Sequence, residues 1–537
     1  MTAPSRRVGA MSWNAWGDPA RAFALPEPVR ALLADVLGAE PAGAPRTPEA
    51  ELKLPPSALP DAARSALTDA VGAEHVVTEA AVRIRHTGGK STPDLLRRRA
   101  GDVAGAPDAV VLPGTHDEVT AVLAACAGHR VAVVPFGGGT SVVGGVEPLR
   151  GGFGAAVALD LRRLDRLVAV DAVDRTATLH AGLRTPEADE LLAAHGLTLG
   201  HQPQSYEYAT IGGYAATRSA GQSSTGYGRF DAMVLSLRVA TPRGTLELGR
   251  APGSAAGPDL RHLLLGSEGT LGVITEVTLR VRPLPETVRD EAWSFPDFAA
   301  GTAALRALAQ GGARPTLVRL SDETETFVNA ALSGTQAAAG CLAVVAHEGT
   351  AEQADAVREL SARTLRAAGG TELGSGPVAQ WRHSRYSGPY LRDALLDAGV
   401  LAETLETATT WSALPALRQA VTDALTGALS TPAGRPPVVL CHISHVYPEG
   451  ASLYFTVAAV AGPDPLARWR AAKQAAGDAI AACGGTISHH HAVGADHRPW
   501  MEAEVGPLGV DILRAVKGVL DPSGILNPGK LIPGERA

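Results

Sequence analysis

Chemistry is concentrated in a few short stretches of this chain. Pro135-Phe136-Gly137-Gly138-Gly139-Thr140-Ser141, followed by Gly144-Gly145, comes directly after an apolar run. Glycine runs admit positive φ and let successive backbone N–H groups turn toward one anion, so a pyrophosphate is a natural guest. A tight strand turn is the plain alternative. The spacing is not GxGxxG, which disfavours a nicotinamide site, and no GK[ST] follows, which excludes a Walker loop. A second stretch, Gln204-Ser205, Thr210-Ile211-Gly212-Gly213 and Thr217-Arg218-Ser219-Ala220-Gly221, is small and hydroxylated. It suits a second wall of the same dinucleotide site, or an ordinary Gly/Ser loop. In the third, Gly266-Ser267-Glu268-Gly269-Thr270-Leu271-Gly272-Val273-Ile274-Thr275, glycines run into a β-branched strand and permit close approach to a flat ligand.

His489-His490-His491 is a different kind of signal. Histidine titrates near neutral pH and suits proton transfer. In an extended segment alternate side chains oppose one another, which predicts His489 and His491 on one face and His490 on the other. Such runs also occur as metal-binding tracts or as plain loop residues. His442 and His445 form a second pair. Cys126, Cys341, Cys441 and Cys483 lie far apart without a CxxC pair, so no zinc ribbon or thioredoxin-type site is written here.

The elements around these stretches can be read in outline. Asp108–Leu112 is an apolar strand, Thr115 and Glu118 have capping-box spacing for a helix to about Gly128, and Arg130–Pro135 is a second strand. Val157–Leu161, Leu167–Asp171, Thr176–Ala181, Met233–Ala240 and Val273–Val281 read as further strands. Thr185-Pro186 is expected to cap and open a helix that stops at Gly196. Leu453–Val460 reads as a strand and Pro465–Cys483 as a helix. Val505–Leu520 reads as an amphipathic helix stopped by Asp521-Pro522. Residues 38–62, rich in proline (Pro41, Pro45, Pro48, Pro55, Pro56, Pro60), read as an extended tether behind an arm that carries Trp13, Trp16 and a short helix near Pro28–Leu37.

Composition narrows the classes. The 537 residues carry 48 Lys+Arg against 55 Asp+Glu, a net charge of −7, so no basic footprint for nucleic acid exists. At 45% hydrophobic and 19% charged the chain is globular rather than disordered. Arg6 and Arg7 precede no apolar run, no 18-residue apolar stretch occurs, and the final PGERA is not a peroxisomal address. A soluble cytoplasmic protein is the expectation.

Taken in this order, the three glycine-rich stretches resemble the FAD-binding domain of the vanillyl-alcohol oxidase superfamily, and Asp521-Pro522 with Ile525-Leu526-Asn527-Pro528-Gly529-Lys530 is similar to its usual ending. The resemblance narrows to the alkyldihydroxyacetonephosphate synthase family and covers nearly the whole chain from Met11-Ser12-Trp13-Asn14-Ala15-Trp16-Gly17 onward. It is carried by Gly257-Pro258-Asp259, Pro389-Tyr390-Leu391-Arg392-Asp393, Glu406-Thr407 before Trp411, Leu453-Tyr454-Phe455 and Ser488-His489-His490-His491 with Val493-Gly494.

The resemblance implies an α+β fold. A two-subdomain PCMH-type FAD-binding domain (residues 107–285) and an α+β cap (286–485) are flanked by an N-terminal arm and linker (1–106) and a C-terminal return (486–537). It implies FAD, held through Pro135, Gly137, Gly138, Gly139, Thr140, Ser141, Gln204, Ser205, Thr210, Gly212, Gly213, Thr217, Ser219, Gly221, Glu268, Gly269, Thr270, Gly272, Val273 and Ile274. Thr140 stands where some superfamily members carry the histidine that binds flavin covalently, so non-covalent FAD is expected. The implied reaction exchanges the acyl chain of acyl-dihydroxyacetone phosphate for a fatty alcohol through a flavin N5 adduct. Arg392 would hold the phosphate, Tyr454 would exchange a proton at the leaving acyl oxygen, and His489, His490 or His491 would act as base or contact substrate. The alternative is an FAD-dependent oxidase or dehydrogenase of an alcohol, 2-hydroxy acid or specialised metabolite. Metal-dependent dehydrogenases of the superfamily carry a histidine pair where His442 and His445 lie, but Tyr454 occupies their later histidine position, so no metal is assigned. A phosphorylated or lipid-like substrate, a homodimer and peripheral contact with a membrane complete the expectation, with no nucleic-acid partner.

Overall fold

The computed structural model of the chain describes residues 2–5, 7–38, 46–335 and 338–534. Arg6, Pro41, Pro45 and the last three residues, named above, lie outside the described residues. Two sheets build the first half. The strand Ala109–Val111 has every side chain buried. Beside it the helix His116–His129 opens on Thr115, whose hydroxyl accepts from the Glu118 N–H at 3.1 Å. Val131–Phe136 and Ala109–Val111 both run parallel to Ala155–Asp160, which lies between them. The second sheet is antiparallel, in the order Leu167–Asp171, Thr176–His180, Val273–Arg280, Val234–Thr241, Gly244–Leu248. Val133, Val157 and Leu159 of the first sheet and Leu179, Val239 and Val277 of the second share one apolar core. Neither sheet can bury its apolar side alone, and each covers the other through the helices between them.

The second half is one seven-stranded antiparallel sheet. Its order is Thr371–Gly374, Thr287–Phe295, Cys341–Gly349, Leu317–Ser321, Val438–Ile443, Gly450–Val460, Val400–Thr410. Strand alternation gives it two unlike faces. Leu453, Phe455, Val457 and Ala459 share a core with Leu305, Leu365, Leu417 and Ala472 from the helices Phe298–Gln310, Ala351–Ala367, Leu414–Leu429 and Pro465–Ala482. Tyr454 points to the other face.

The two ends of the chain tie these halves together. Trp16 is buried against Tyr208 and Tyr390, its ring edge-on to Tyr208 at 5.8 Å. The Trp16 backbone N–H donates to Asp393 Oδ2 at 2.5 Å, and Lys90 Nζ donates to the carbonyls of Ser12 and Ala15. The described part of the proline-rich run is docked, with Leu59 buried and the Ala58 N–H on Asp108. The C-terminal segment returns to the first sheet, where Val133 N–H donates to Ile525 O and Asn527 N–H to Val133 O, both at 2.8 Å. Among the described residues no helix is long and apolar enough to cross a membrane.

Two local expectations are corrected. Arg184, not Thr185, occupies the N-cap of the helix Thr185–Ala193, because the Glu187 carboxylate turns back to accept the Arg184 N–H at 2.9 Å. The last helix spans Met501–Leu520 and is broken at Gly506, whose φ of 73° is not helical, just before Pro507. The break shifts the phase of the apolar pattern. Val516 and Leu520 pack on the core of the first half, whereas Leu508, Ile512 and Val519 are exposed. The arm supplies a test. Trp16→Ala should cost about 3 kcal/mol in urea unfolding and expose residues 9–24 to limited proteolysis; an unchanged digestion pattern would show that Trp16 does not hold the arm.

Candidate active site

The site is a row of side chains across three adjacent strands. Glu406 pairs with Tyr454, and Tyr454 pairs with His442, in the antiparallel register. Directly paired residues present their side chains to the same face. The row continues on the next strand, where Ser321 pairs with His442 and Arg319 lies two residues away on the same face. Tyr454 stacks on His442 at 4.7 Å.

Glu406 is buried and holds the histidine loop. It accepts from Ser488 Oγ (2.8 Å) and from the backbone N–H groups of His489 (2.6 Å), His490 (3.1 Å) and His491 (2.8 Å). Burial pushes its carboxyl up, but the three histidines and the backbone donors more than offset this and hold it well below the usual carboxylate range. Three consecutive N–H groups cannot meet one carboxylate from an extended chain, in which they alternate. The segment is therefore curled, and the expected pairing of His489 with His491 is corrected. His490 and His491 both face Tyr454, with ring centroids 5.9 and 5.6 Å away. His489 turns the other way, its Nε2 2.6 Å from the Tyr447 hydroxyl. Burial keeps all three neutral, His490 with a pKa lowered to about 3.

The second histidine pair has other roles. His442 lies between Arg319 and Glu325, with Arg319 Nη1 3.0 Å from its Nε2 and Glu325 Oε1 3.1 Å from its Nδ1. Arg319 also pairs with Glu325 at 2.7 Å. Burial, then Arg319, lower the His442 pKa against the pull of Glu325. His445 is buried, with Nε2 3.0 Å from Gly221 O. His445, His489 and His490 present ligand-type nitrogens within 4.8 Å of one another. His445 Nδ1 also lies 3.0 Å from Ser444 Oγ and 3.3 Å from Ser452 Oγ, and His490 Nδ1 lies 3.7 Å from Glu406 Oε2.

The three glycine-rich stretches converge on one place. A Cβ on Gly137 would lie 2.3 Å from Thr210 Oγ1, one on Gly138 2.0 Å from Tyr208 O, and one on Gly269 2.7 Å from Pro135 Cγ. Glycine is required there by close approach. The N–H groups of Gly266 and Glu268 donate to the carbonyls of Ala215 and Ala216. Thr210 caps the helix Ile211–Thr217 and accepts from the Gly213 N–H at 3.2 Å; Ser219 Oγ lies 3.1 Å from His201 Nε2. Gln204 lies near Gly388, and Tyr208, four residues after it, is held by the Ser205 carbonyl. Gly272 packs on Val239, and Val273 and Ile274 begin the strand that pairs with Ala240 and Val239. Ser141 and Thr270 spend their hydroxyls inside the protein, Ser141 accepting from Gly145 N–H and Thr270 donating to Ser267 O.

Among the described residues no protein acceptor takes the N–H groups of Gly138, Gly139 and Thr140. Ser267 Oγ, Asn527 Oδ1 and His201 Nδ1 are buried without a partner. Native proteins rarely leave such groups unpaired. Open N–H groups on a glycine loop and orphan polar atoms beside it fit the pyrophosphate and ring edges of FAD.

Arg392 makes no hydrogen bond to the Tyr454 row among the described residues. It donates to the Lys90 carbonyl at 2.5 Å and to Asp393 at 3.3 Å, while its Nε is buried without a partner. Glu406, Arg319, Glu325 and Tyr447 were not singled out as site residues from sequence. A signal for one of them exists, since Arg319 is the one charge in the strand Leu317–Ser321.

Fold and glycine loop together define a flavoprotein of the FAD-linked oxidase type. Residues 107–249 match the family described as "FAD binding domain", and residues 284–531 match "FAD linked oxidases, C-terminal domain". The alkyldihydroxyacetonephosphate synthase of Dictyostelium discoideum is 35% identical over 84% of this chain and 77% of its own length. That of Trypanosoma brucei brucei is 33% identical over 97% of this chain and 92% of its own. A solved structure of alkyldihydroxyacetonephosphate synthase aligns with a TM-score of 0.84 at 30% identity, covering 97% of this chain and 99% of that one. The chain is an FAD-dependent enzyme and belongs to the alkyldihydroxyacetonephosphate synthase family.

Glu268 gives the site a pH signature. Its carboxylate accepts from the Val493 and Gly494 N–H groups, both at 2.8 Å, yet burial raises its pKa to about 7. The native state then holds this proton more tightly than the unfolded chain, so its contribution to stability falls as pH rises from about 4.5 to about 7. The Tm of Glu268→Gln, which cannot ionise, should gain on the wild type across that window. Parallel Tm profiles would show that Glu268 titrates as an ordinary carboxylate.

Proposed function

We propose that this enzyme exchanges the acyl chain of acyl-dihydroxyacetone phosphate for a long-chain alcohol. The observation that carries the reading is the Glu406–Tyr454–His442 row with the histidine loop folded over it, in a chain of this family. FAD is read as lying between residues 107–285 and the cap of residues 286–485, with residues 486–537 closing over it. It is held non-covalently on the Gly137–Ser141 loop, with the further loop residues named above as its walls. When bound, the flavin supplies the electron sink that lets the exchange remain redox-neutral.

The chain's own groups divide the remaining work. Burial raises the Tyr454 phenol to about 12, so at neutral pH it keeps its proton and donates. A fatty carboxylate is far more acidic than that, so Tyr454 stabilises the departing oxygen by a hydrogen bond rather than by full transfer. His490 is neutral and takes the carbon-bound proton. The ionised Glu406, whose Oε2 is 3.7 Å from His490 Nδ1, favours the arrival of that proton. His491 faces Tyr454 beside it and contacts substrate. Arg392, with one open guanidinium N–H, is the proposed phosphate contact; Arg98 adds positive charge near it. Leu508, Ile512 and Val519 are exposed at spacings that share one helix face, which supports contact with a lipid surface. A homodimer and a cytoplasmic site of action complete the reading by family analogy.

The test is to supply purified holoenzyme with acyl-dihydroxyacetone phosphate and a fatty alcohol. Ether product without net flavin bleaching is expected; anaerobic bleaching by a hydroxy acid or alcohol, with no ether product, would instead identify a dehydrogenase. Tyr454→Phe should lower kcat about 10²- to 10³-fold while FAD stays bound. A variant with wild-type kcat would remove Tyr454 from the chemistry.

A further inference from the structure

Beside the start of the histidine loop, where Thr486 and Ile487 lead into it, lies a cleft of about 510 Å³. Its walls include Thr409, Thr410, Tyr447, Glu449, Thr486 and Glu504, of which Glu449 and Glu504 are exposed. Tyr447 belongs both to this wall and to the site, since its hydroxyl is 2.6 Å from His489 Nε2. The other nitrogen of that ring, His489 Nδ1, is 3.0 Å from His490 Nδ1. His490 Nε2, across its ring, has no hydrogen-bond partner among the described residues.

We propose that Tyr447, His489 and His490 form a proton-conducting row from the substrate side of His490 to the solvent-facing cleft, with Tyr447 as its outer end. This rests on the reading of His490 as the base. Two facing Nδ1 atoms at 3.0 Å can share one proton only, so the tautomers of the two rings are locked together. In one state His490 Nδ1–H donates to His489 Nδ1, His489 Nε2–H donates to the Tyr447 oxygen, and His490 Nε2 is free to accept. When His490 Nε2 takes a proton, its Nδ1 proton passes to His489 Nδ1. The His489 Nε2 proton then passes to the Tyr447 oxygen, and the Tyr447 proton leaves to water in the cleft. Each ring ends neutral in its other tautomer, so no charge is stored in a buried cluster where burial disfavours it. The exchange is redox-neutral and returns a proton to the carbon it was taken from. The same row run backwards resets both tautomers without a ring flip. Arg229 lies beside the Tyr447 hydroxyl and favours the moment at which that oxygen gives up its proton.

The experiment compares wild-type holoenzyme with Tyr447→Phe, with FAD content and Tm confirming the fold. Histidine ¹⁵N NMR should show His489 and His490 changing tautomer populations together in the variant, because the ring loses the partner at Nε2. In turnover, kcat should fall about ten- to a hundredfold with KM for the acyl substrate unchanged. The solvent deuterium isotope effect should rise, and added imidazole should restore rate. His489→Gln breaks the row one step further in and should reproduce the larger isotope effect. Tautomers that do not respond, or a kcat and isotope effect within twofold of wild type, would overturn the row. The tautomer measurement needs no turnover, so it decides the row even where the wild type makes no ether product, a result that would sink the synthase reading alone.

Discussion

A single buried carboxylate, Glu406, organises the candidate site of this protein. An ionised carboxylate without water costs several kcal/mol unless its oxygens are bonded. Here Ser488 Oγ and three consecutive backbone N–H groups meet that demand. The same bonds force the histidine segment to curl, and the curl decides where each imidazole goes. Two rings reach Tyr454 and one reaches Tyr447. The charge that is costly to bury thus also lies beside the histidine rings, its Oε2 3.7 Å from His490 Nδ1.

The loop is held at its other end by a second acid from a distant part of the chain. Glu268 accepts from Val493 and Gly494, and its own backbone is fixed by Ala216 N-terminal to it in the fold and by Asn527, whose Nδ2 donates to Glu268 O at 2.7 Å. Asn527 also donates to Gly145 O at 3.1 Å. The C-terminal return, the glycine-rich stretches and the histidine loop therefore share one hydrogen-bond system. Movement of any one would leave buried polar groups of another unpaired, which holds these segments together.

The seven-stranded sheet separates stability from chemistry by strand alternation. One face carries Leu453, Phe455 and Val457 into the helical core. The other presents Glu406, Tyr454 and His442 in register. A shift of one residue in the pairing would exchange the two faces, so the core that stabilises the sheet also fixes the row. His442 adds a further constraint, since Arg319 and Glu325 clamp it in a neutral state beneath the Tyr454 ring.

Much of the local structure was legible in the residues. The strand–helix–strand unit before the glycine loop, the Thr115 cap and the strand bearing Tyr454 follow from apolar periodicity and side-chain hydrogen bonding between residues three or four apart. The glycine loop and the family likeness pointed to FAD. The Gly506–Pro507 break and the Arg184 cap were missed because one depends on a positive φ and the other on a carboxylate turning back. The curl of His489–His491 lay further out of reach. It depends on Glu406, more than 80 residues earlier in the chain, and so does the division of labour among the three rings. Tyr447, Arg319 and Glu325 became part of the site only through strand register and burial. Sequence determined which elements form and which side chains are capable of chemistry, because those depend on neighbours along the chain. Which of those side chains meet, and in which protonation state, was decided by tertiary structure, because desolvation and the pairing of buried charges depend on groups that only folding brings together.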